Sequence, residues 1–278
     1  MQKLITSEIS DTSREVKDFS VLCEKSPTFS HLVGSSPAMQ KLRNQIVKIA
    51  SLHISVLILG ETGTGKTTVA RMIAGILYNL DYIEQNKLIE VSAKDLIGQY
   101  VGQTAPKTME VIEKALGGVL FIDEAYSLAN KPGSATTFNE ECIATLIQAM
   151  ENYRDNLVVI FAGYTKEMQD FLNANSGIVS RIGYTLEFAD YTEKELLQIF
   201  ENMMCKSGFE VSKEASEEVL RIIKEYKDTK NFGNARFVRS VYEKTIIKHA
   251  SNTKGKKAKK ILKTITKEDI SVENLLKM

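Results

Sequence analysis

Cysteine and histidine are scarce in this chain. Its 278 residues hold three cysteines, Cys23, Cys142 and Cys205, far apart and without a CxxC pair. That spacing argues against a disulfide framework or a structural zinc and suits a reducing cytoplasm. The histidines, His31, His53 and His249, are scattered and no HExxH is present, so a zinc protease centre is not expected. Excess charge is lacking as well. The formal net charge is +1, and such a balance favours no particular partner. Long apolar runs are also missing. No stretch approaches a membrane span, and "MQKLITSEISDTSREVKDFS" at the start has no apolar signal region. These absences predict a soluble cytoplasmic protein without a membrane partner. What remains is ordinary globular composition, 43% hydrophobic and 26% charged, sufficient for one large core and a smaller one.

Residues 1–30 are polar with weak periodicity and read as an N-terminal extension. A helix is expected in "SPAMQKLRNQIVKIA". Ser36 suits its N-cap, Pro37 its first position, and Met39, Leu42, Ile46 and Ile49 follow at helical spacing. Short apolar runs come next: "ISVLILG" (54–60), "LIEVS" (88–92), "GVLFIDE" (118–124), "LVVIFAG" (157–163) and "YTLEF" (184–188). Strands covered on both faces of a parallel sheet read this way. Helical patterns lie between them, among them "FNEECIATLIQAMENY" with Ile143, Leu146, Ile147 and Met150 on one stripe. Alternating strands and helices imply an α/β parallel sheet with crossover connections.

After Phe188 no strand-like run follows. Thr192 and Glu195 form a capping-box pattern at the head of a helix, and "KEASEEVLRIIKEY" and "ARFVRSVYEKTIIKHA" are also helical. A small all-α domain is therefore expected. The predicted division is an extension at 1–30, an α/β domain at 31–189 and a helical domain at 190–278. The basic run "KGKKAKK" (254–260) has no interleaved aromatic. It reads as a solvated loop, and a nucleic-acid partner is not expected.

"GETGTGKT" (60–67) fits G-x-x-x-x-G-K-[ST] between a strand and a helix, the context that motif needs. Gly60, Gly63 and Gly65 let backbone amides turn inward around phosphate. Glu61, Thr62, Thr64 and Thr68 complete the loop, and the following helix presents its positive end. Lys66 can reach the β- and γ-phosphates, and the Thr67 hydroxyl can ligate magnesium. ATP and Mg2+ are the cofactors this implies. "GGVLFIDEAY" then brings an acidic pair to a strand end. Asp123 can hold the magnesium shell, and Glu124 can polarise an attacking water as general base. The pair predicts hydrolysis and not binding alone.

With these motifs in place, the chain resembles an AAA+ ATPase. The stretches "LIEVSAKDLIGQYVGQTAPKTMEVIEKALGGVLFIDEAYSL", "FNEECIATLIQAMENYRDNLVVIFAGYTKEM" and "NSGIVSRIGYTLEFADYTEKEL" resemble the family of red-type Rubisco activase and stage V sporulation protein K. The likeness runs from about Ile54 to His249. It implies a five-stranded parallel P-loop sheet with helices on both faces, a small C-terminal helical lid, and assembly into a homo-oligomeric ring, a hexamer. It implies that Arg181, in the "SR" pair before the fifth strand, reaches the neighbouring subunit's nucleotide, where a permanently charged guanidinium suits the γ-phosphate. Arg236 in "GNARFVR" resembles the second sensor, with Arg239 ranked below it. "LVG", which includes Val33 and Gly34, resembles the segment that touches the base, with hydrophobic packing as the other reading.

Two departures stand out. The first sensor is usually a small polar residue after the fourth strand. Here "AGYT" offers Tyr164 or Thr165. The front end, "VGSSPAMQKLRNQIVKIASLHISVLILGETGTGKT", resembles instead the bacterial enhancer-binding transcription activators, yet the chain has no GAFTGA loop. The likeness also gives a place to "LIGQYVGQT" (96–104). Such a segment faces the channel of an AAA+ ring, and Tyr100, Val101 and Gly102 have the aromatic–hydrophobic–glycine form of a pore loop, with Gly98 and Gly102 as flexible points. The expected function is an ATP-driven protein-remodelling motor acting on a client protein. A nucleotide-governed switch or scaffold, and a transcription-activator-type ATPase, are the alternatives.

Overall fold

The computed structural model describes residues 54–79, 81–129, 137–229, 232–255, 258 and 262–271. The helix expected at 36–50, the extension at 1–30, Val33 and Gly34 lie outside the described residues, as does most of the basic run at 254–260.

Five strands build the main sheet: β1 (Ser55–Gly60), β2 (Leu88–Ser92), β3 (Gly118–Asp123), β4 (Leu157–Gly163) and β5 (Ile182–Phe188). Their order is β2-β3-β4-β1-β5, and every pair is parallel. Strand alternation explains why the runs look continuously apolar. Val56 and Ile58 of β1, Val119 and Phe121 of β3, and Val158 and Ile160 of β4 pack on one face. Leu57, Leu120, Ile122, Val159 and Phe161 pack on the other. Both sets are buried, so neither register position can be polar. The edges differ. In β2, Glu90 faces solvent and pairs with Arg71 at 2.6 Å.

The first face is covered by α1 (Lys66–Asn79), which buries Val69, Met72, Ile73, Ile76 and Leu77. The second is covered by α2 (Ala93–Leu96), α3 (Thr104–Ala115), α4 (Thr137–Asn152), α5 (Thr165–Ala174) and α6 (Ser176–Val179). On α4 the predicted stripe packs inward, with Ile143, Leu146 and Met150 buried and Ile147 partly so. The one-turn α2 stands between β2 and the segment at 97–103.

Beyond β5 the chain forms α7 (Glu193–Lys206), α8 (Lys213–Lys227) and α9 (Asn234–Asn252). The predicted capping box is present: Thr192 Oγ1 accepts from Glu195 N, and Thr192 N donates to Glu195 Oε2 at 2.9 Å. Leu196, Phe200, Met204, Val219, Ile222, Ile223, Val238 and Val241 form a separate core. One element went unforeseen here. β6 (Glu210–Val211) pairs with β7 (Thr264–Ile265) in a two-residue parallel ladder. Two residues are too few to display a period of two, so no pattern announces it. The turn after β7 is fixed by a buried pair, His249 Nδ1 and Asp269 Oδ2 at 2.8 Å. Asn252 Nδ2 and Thr266 N also donate to that carboxylate. Burial acts to raise the Asp269 carboxyl, but the bonds from Thr266, Asn252 and His249 outweigh it and hold the group below its ordinary value. Among the described residues no helix is long and apolar enough to cross a membrane.

Candidate nucleotide-hydrolysing site

In an open parallel sheet the loops at the carboxyl ends of the strands meet in a crevice. Here those loops follow β1, β3 and β4, three adjacent strands. They line a cleft of about 400 Å³ with the lid as its far wall. Thr62, Gly63, Gly65, Lys66, Thr67 and Thr68 come from the phosphate loop, Asp123 and Glu124 from β3 and its end, and Arg236 from α9. Those sequence-predicted residues thus share one cleft.

Gly63 and Gly65 have φ of +73° and +96°, backbone that glycine alone adopts without strain. Lys66 folds back over the loop and donates to Gly60 O at 2.6 Å and Glu61 O at 2.9 Å. Burial depresses its ammonium pKa, with Asp123 and Glu61 opposing the shift. Asp123 Oδ1 accepts from Glu124 N at 3.0 Å. Glu124 sits at φ 51°, ψ 42°, a left-handed conformation that is uncommon for a residue with a side chain. It places the carboxylate in the cleft mouth, exposed to solvent. A cation, a hydroxyl and two carboxylates so arranged can bind a triphosphate with a hard divalent cation and activate water.

Tyr164, directly after β4, lines the cleft. Its hydroxyl lies 2.7 Å from Thr62 Oγ1, and Lys66 Nζ is 5.3 Å from its ring centroid. Thr165 is instead the first residue of α5. Tyr126 stacks on Tyr164 with centroids 5.6 Å apart. Burial, with the Glu124 charge beside it, drives the Tyr126 phenol above its ordinary value.

Arg181 does not line this cleft. It follows α6, where Nη2 pairs with Glu151 Oε2 at 3.0 Å and Nη1 donates to Gly177 O at 3.1 Å. The loop at 97–103 likewise lines no part of the cleft. Its base is clamped: Gly98 N donates to Thr104 Oγ1 at 3.1 Å, and Lys107 Nζ donates to Lys94 O and Ile97 O at 2.8 and 2.7 Å. A Cβ on Gly98 would come within 2.7 Å of Gln103 Cβ. That glycine therefore permits close packing of the base, a different use from the flexibility the sequence suggested. At the tip Tyr100 is 69% and Val101 85% exposed, and Gly102 has φ +79° with open space around it.

Several lining residues were missed or ranked low. Arg239, one turn from Arg236, also lines the cleft, and Ile199 and Met203 of α7 add an apolar wall. Tyr126 was legible only as part of "IDEAY". Asn234 and Tyr191, which touch the phosphate loop from behind, carried no signal of their own.

Geometry of this kind defines a P-loop nucleoside triphosphatase. The family model described as ATPases associated with various cellular activities matches residues 56–189, and an AAA lid domain model matches residues 192–276. Among curated relatives, the chloroplastic ribulose bisphosphate carboxylase/oxygenase activase of Cyanidioschyzon merolae is 45% identical over 79% of this chain and 75% of that protein. Protein CbbX of Cereibacter sphaeroides is 40% identical over 82% and 74%. Stage V sporulation protein K of Bacillus subtilis is 38% identical over 84% and 74%. Among solved structures, the Thermotoga maritima RuvB Holliday junction branch migration motor superposes with a TM-score of 0.60 at 21% identity, covering 86% of this chain and 68% of that one. The FIGL-1 AAA domain in complex with ADP gives 0.59 at 18% identity, covering 95% and 90%. These two likenesses speak to the fold alone. The chain belongs to the AAA family, in the group of Rubisco activase, CbbX and stage V sporulation protein K, and it is an ATP-hydrolysing enzyme.

Proposed function

We propose that this ATPase remodels a client protein, working as a homo-oligomeric ring, a hexamer, that grips the client with Tyr100, Val101 and Gly102. The observation that carries the reading is the pair Tyr100 and Val101, adjacent apolar side chains left in solvent at the tip of a firmly based loop. Covering an aromatic or aliphatic side chain is worth roughly 1.5–3 kcal/mol, and a flat ring packs on peptide of almost any sequence. The clamped base turns the loop into a lever that moves with α2 and α3.

Within the cleft, residues 60–68 hold ATP. Lys66 meets the γ-phosphate, Thr67 and Asp123 ligate Mg2+, and Glu124 takes the proton of the attacking water. Tyr164 serves as the first sensor, supported by its bond to Thr62 and its place beside Lys66. Arg236 reaches the nucleotide from the lid. Arg181, outside the cleft of its own chain and steadied by Glu151, serves the neighbouring subunit. The client is a protein, with neither nucleic acid nor membrane as partner, and the setting is cytoplasmic.

Two variants test this. Tyr100→Ala is expected to keep basal ATP turnover within about twofold, being a surface change, while client remodelling is lost. Glu124→Gln, loaded with ATP, is expected to hold the client for identification by mass spectrometry. Should Glu124→Gln retain no protein above the level of a Lys66→Ala control, and should Tyr100→Ala unfold the chain, the gripping motor is refuted and a nucleotide-governed switch takes its place.

A further inference from the structure

Three consecutive carbonyls of the phosphate loop are each bonded from the lid side. Thr62 O accepts from Asn234 Nδ2 at 3.2 Å, Gly63 O from Ala235 N at 3.2 Å, and Thr64 O from the Tyr191 hydroxyl at 3.1 Å. A trans peptide points its C=O and N–H in opposite directions. Holding the Thr62 and Thr64 carbonyls outward therefore turns the Gly63 and Gly65 amides toward the cleft. The Thr64 amide turns back to Glu61 O at 3.4 Å, which leaves those of Gly63 and Gly65 for phosphate.

Asn234 is the centre of this arrangement. It is 1% exposed and sits at φ +45°, a conformation asparagine tolerates better than most residues. Its partners fix which way the amide lies. Nδ2 faces two acceptors, Thr62 O and Asp190 Oδ1 at 2.9 Å, while Oδ1 accepts from Tyr191 N at 3.3 Å. One side chain thus ties together the phosphate loop, the linker after β5 and the start of α9. The contact is tight, because a Cβ on Gly63 would fall inside the radius of Gly233 O.

We propose that Asn234 is a positioning residue for nucleotide. It docks the lid hinge on the outer side of the phosphate loop and so orients the amides of Gly63 and Gly65 toward phosphate. Nucleotide affinity and lid placement are then linked, since a loop held in its binding shape by the lid must favour that lid placement once nucleotide binds. The inference rests on the ATPase activity alone and is independent of the pore loop.

The test compares Asn234→Gly and Asn234→Asp. Glycine suits the positive φ and removes both donated bonds together with the one accepted from Tyr191 N. Aspartate keeps the shape but sets a carboxylate oxygen against Thr62 O and Asp190. Release of a fluorescent N-methylanthraniloyl-ADP is expected to quicken about thirtyfold in the glycine variant, the net worth of the lost hydrogen bonds, with KM for ATP rising about as much and kcat within about threefold. Aspartate is expected to reach about a hundredfold, because the group that remains opposite is left unpaired. Asp190→Asn in the aspartate background returns a donor and is expected to recover about tenfold of that loss. Release rates within about twofold of wild type in both variants, or an aspartate defect that Asp190→Asn leaves unchanged, overturn the proposal. Should both variants fail to fold, Tyr191→Phe removes only the bond to Thr64 O. It is expected to quicken release about threefold, and an unchanged rate there overturns the proposal too.

Discussion

Alanine at position 63 is expected to destabilise the nucleotide-free protein far more than alanine at position 208, although both glycines share a left-handed backbone. Gly63 has φ +73° and Gly208 φ +81°. For alanine that conformation costs about 1–2 kcal/mol, a term common to both. The surroundings differ. Nothing lies within 4 Å of a Cβ on Gly208, whereas one on Gly63 would clash with Gly233 O and meet Arg236 N at 3.0 Å. Both obstacles are backbone and cannot swing aside. The start of α9 must withdraw, which breaks the Ala235 N to Gly63 O bond and stretches that from Asn234 to Thr62 O. Two bonds at about 1 kcal/mol each bring Gly63→Ala to about 3–4 kcal/mol against about 1–2 kcal/mol for Gly208→Ala. Urea unfolding followed by far-ultraviolet circular dichroism, without nucleotide, measures both. A slope of about 3 kcal/mol per M converts the difference to about 0.7 M between the midpoints. Midpoints that agree within about 0.2 M would refute the reading of a tight phosphate loop–lid contact.

Other outcomes follow from single contacts. Gly98→Ala sets a Cβ against Gln103 and Thr104 N and is expected to open the loop base, seen as faster amide hydrogen exchange at Gly98 and Gln103 with basal turnover retained. Asp269 has a carboxyl held below its unfolded value, so its ionised form stabilises the lid above about pH 4. That contribution fades as pH falls through the folded pKa. The gap in melting temperature between wild type and Asp269→Asn is therefore expected to be widest near neutrality and to close in acid; a gap independent of pH would contradict the assignment. Burial pushes the Cys142 thiol up to about 11, while Cys205 is exposed. Of these two, a thiol reagent near neutral pH is expected to label Cys205 in the folded protein and Cys142 only on unfolding.

The central strands of the main sheet were legible because they are buried on both faces, and a run such as "GVLFI" holds no polar residue. The phosphate loop and the acidic pair were legible because their chemistry confines them to a few consecutive residues. What escaped notice depends on contacts between distant positions. Asn234 bonds to a residue 172 positions away, and Tyr191 to one 127 away. No local period encodes such a meeting. The β6–β7 ladder failed for a related reason, its two halves being short and far apart. Arg239 was ranked below Arg236 from helical spacing, yet three residues along a helix is still the same side, and the cleft is wide enough to be lined by both. That Thr165 opens α5 while Tyr164 lines the cleft depends on a boundary that sequence leaves loose by a residue or two.

The left-handed backbone of Glu124 has an evolutionary corollary. Glycine would relax φ 51° at that position by about 1–2 kcal/mol, and asparagine tolerates such a backbone better than glutamate does. A population screened for heat resistance, with ATP turnover left out of the selection, is expected to accumulate glycine or asparagine at 124. Descendants that gave up hydrolysis would slide the same way. Under the role proposed for Glu124 as general base, glutamate there is held against a stability gradient, and its presence in a variant would record continuing demand for turnover.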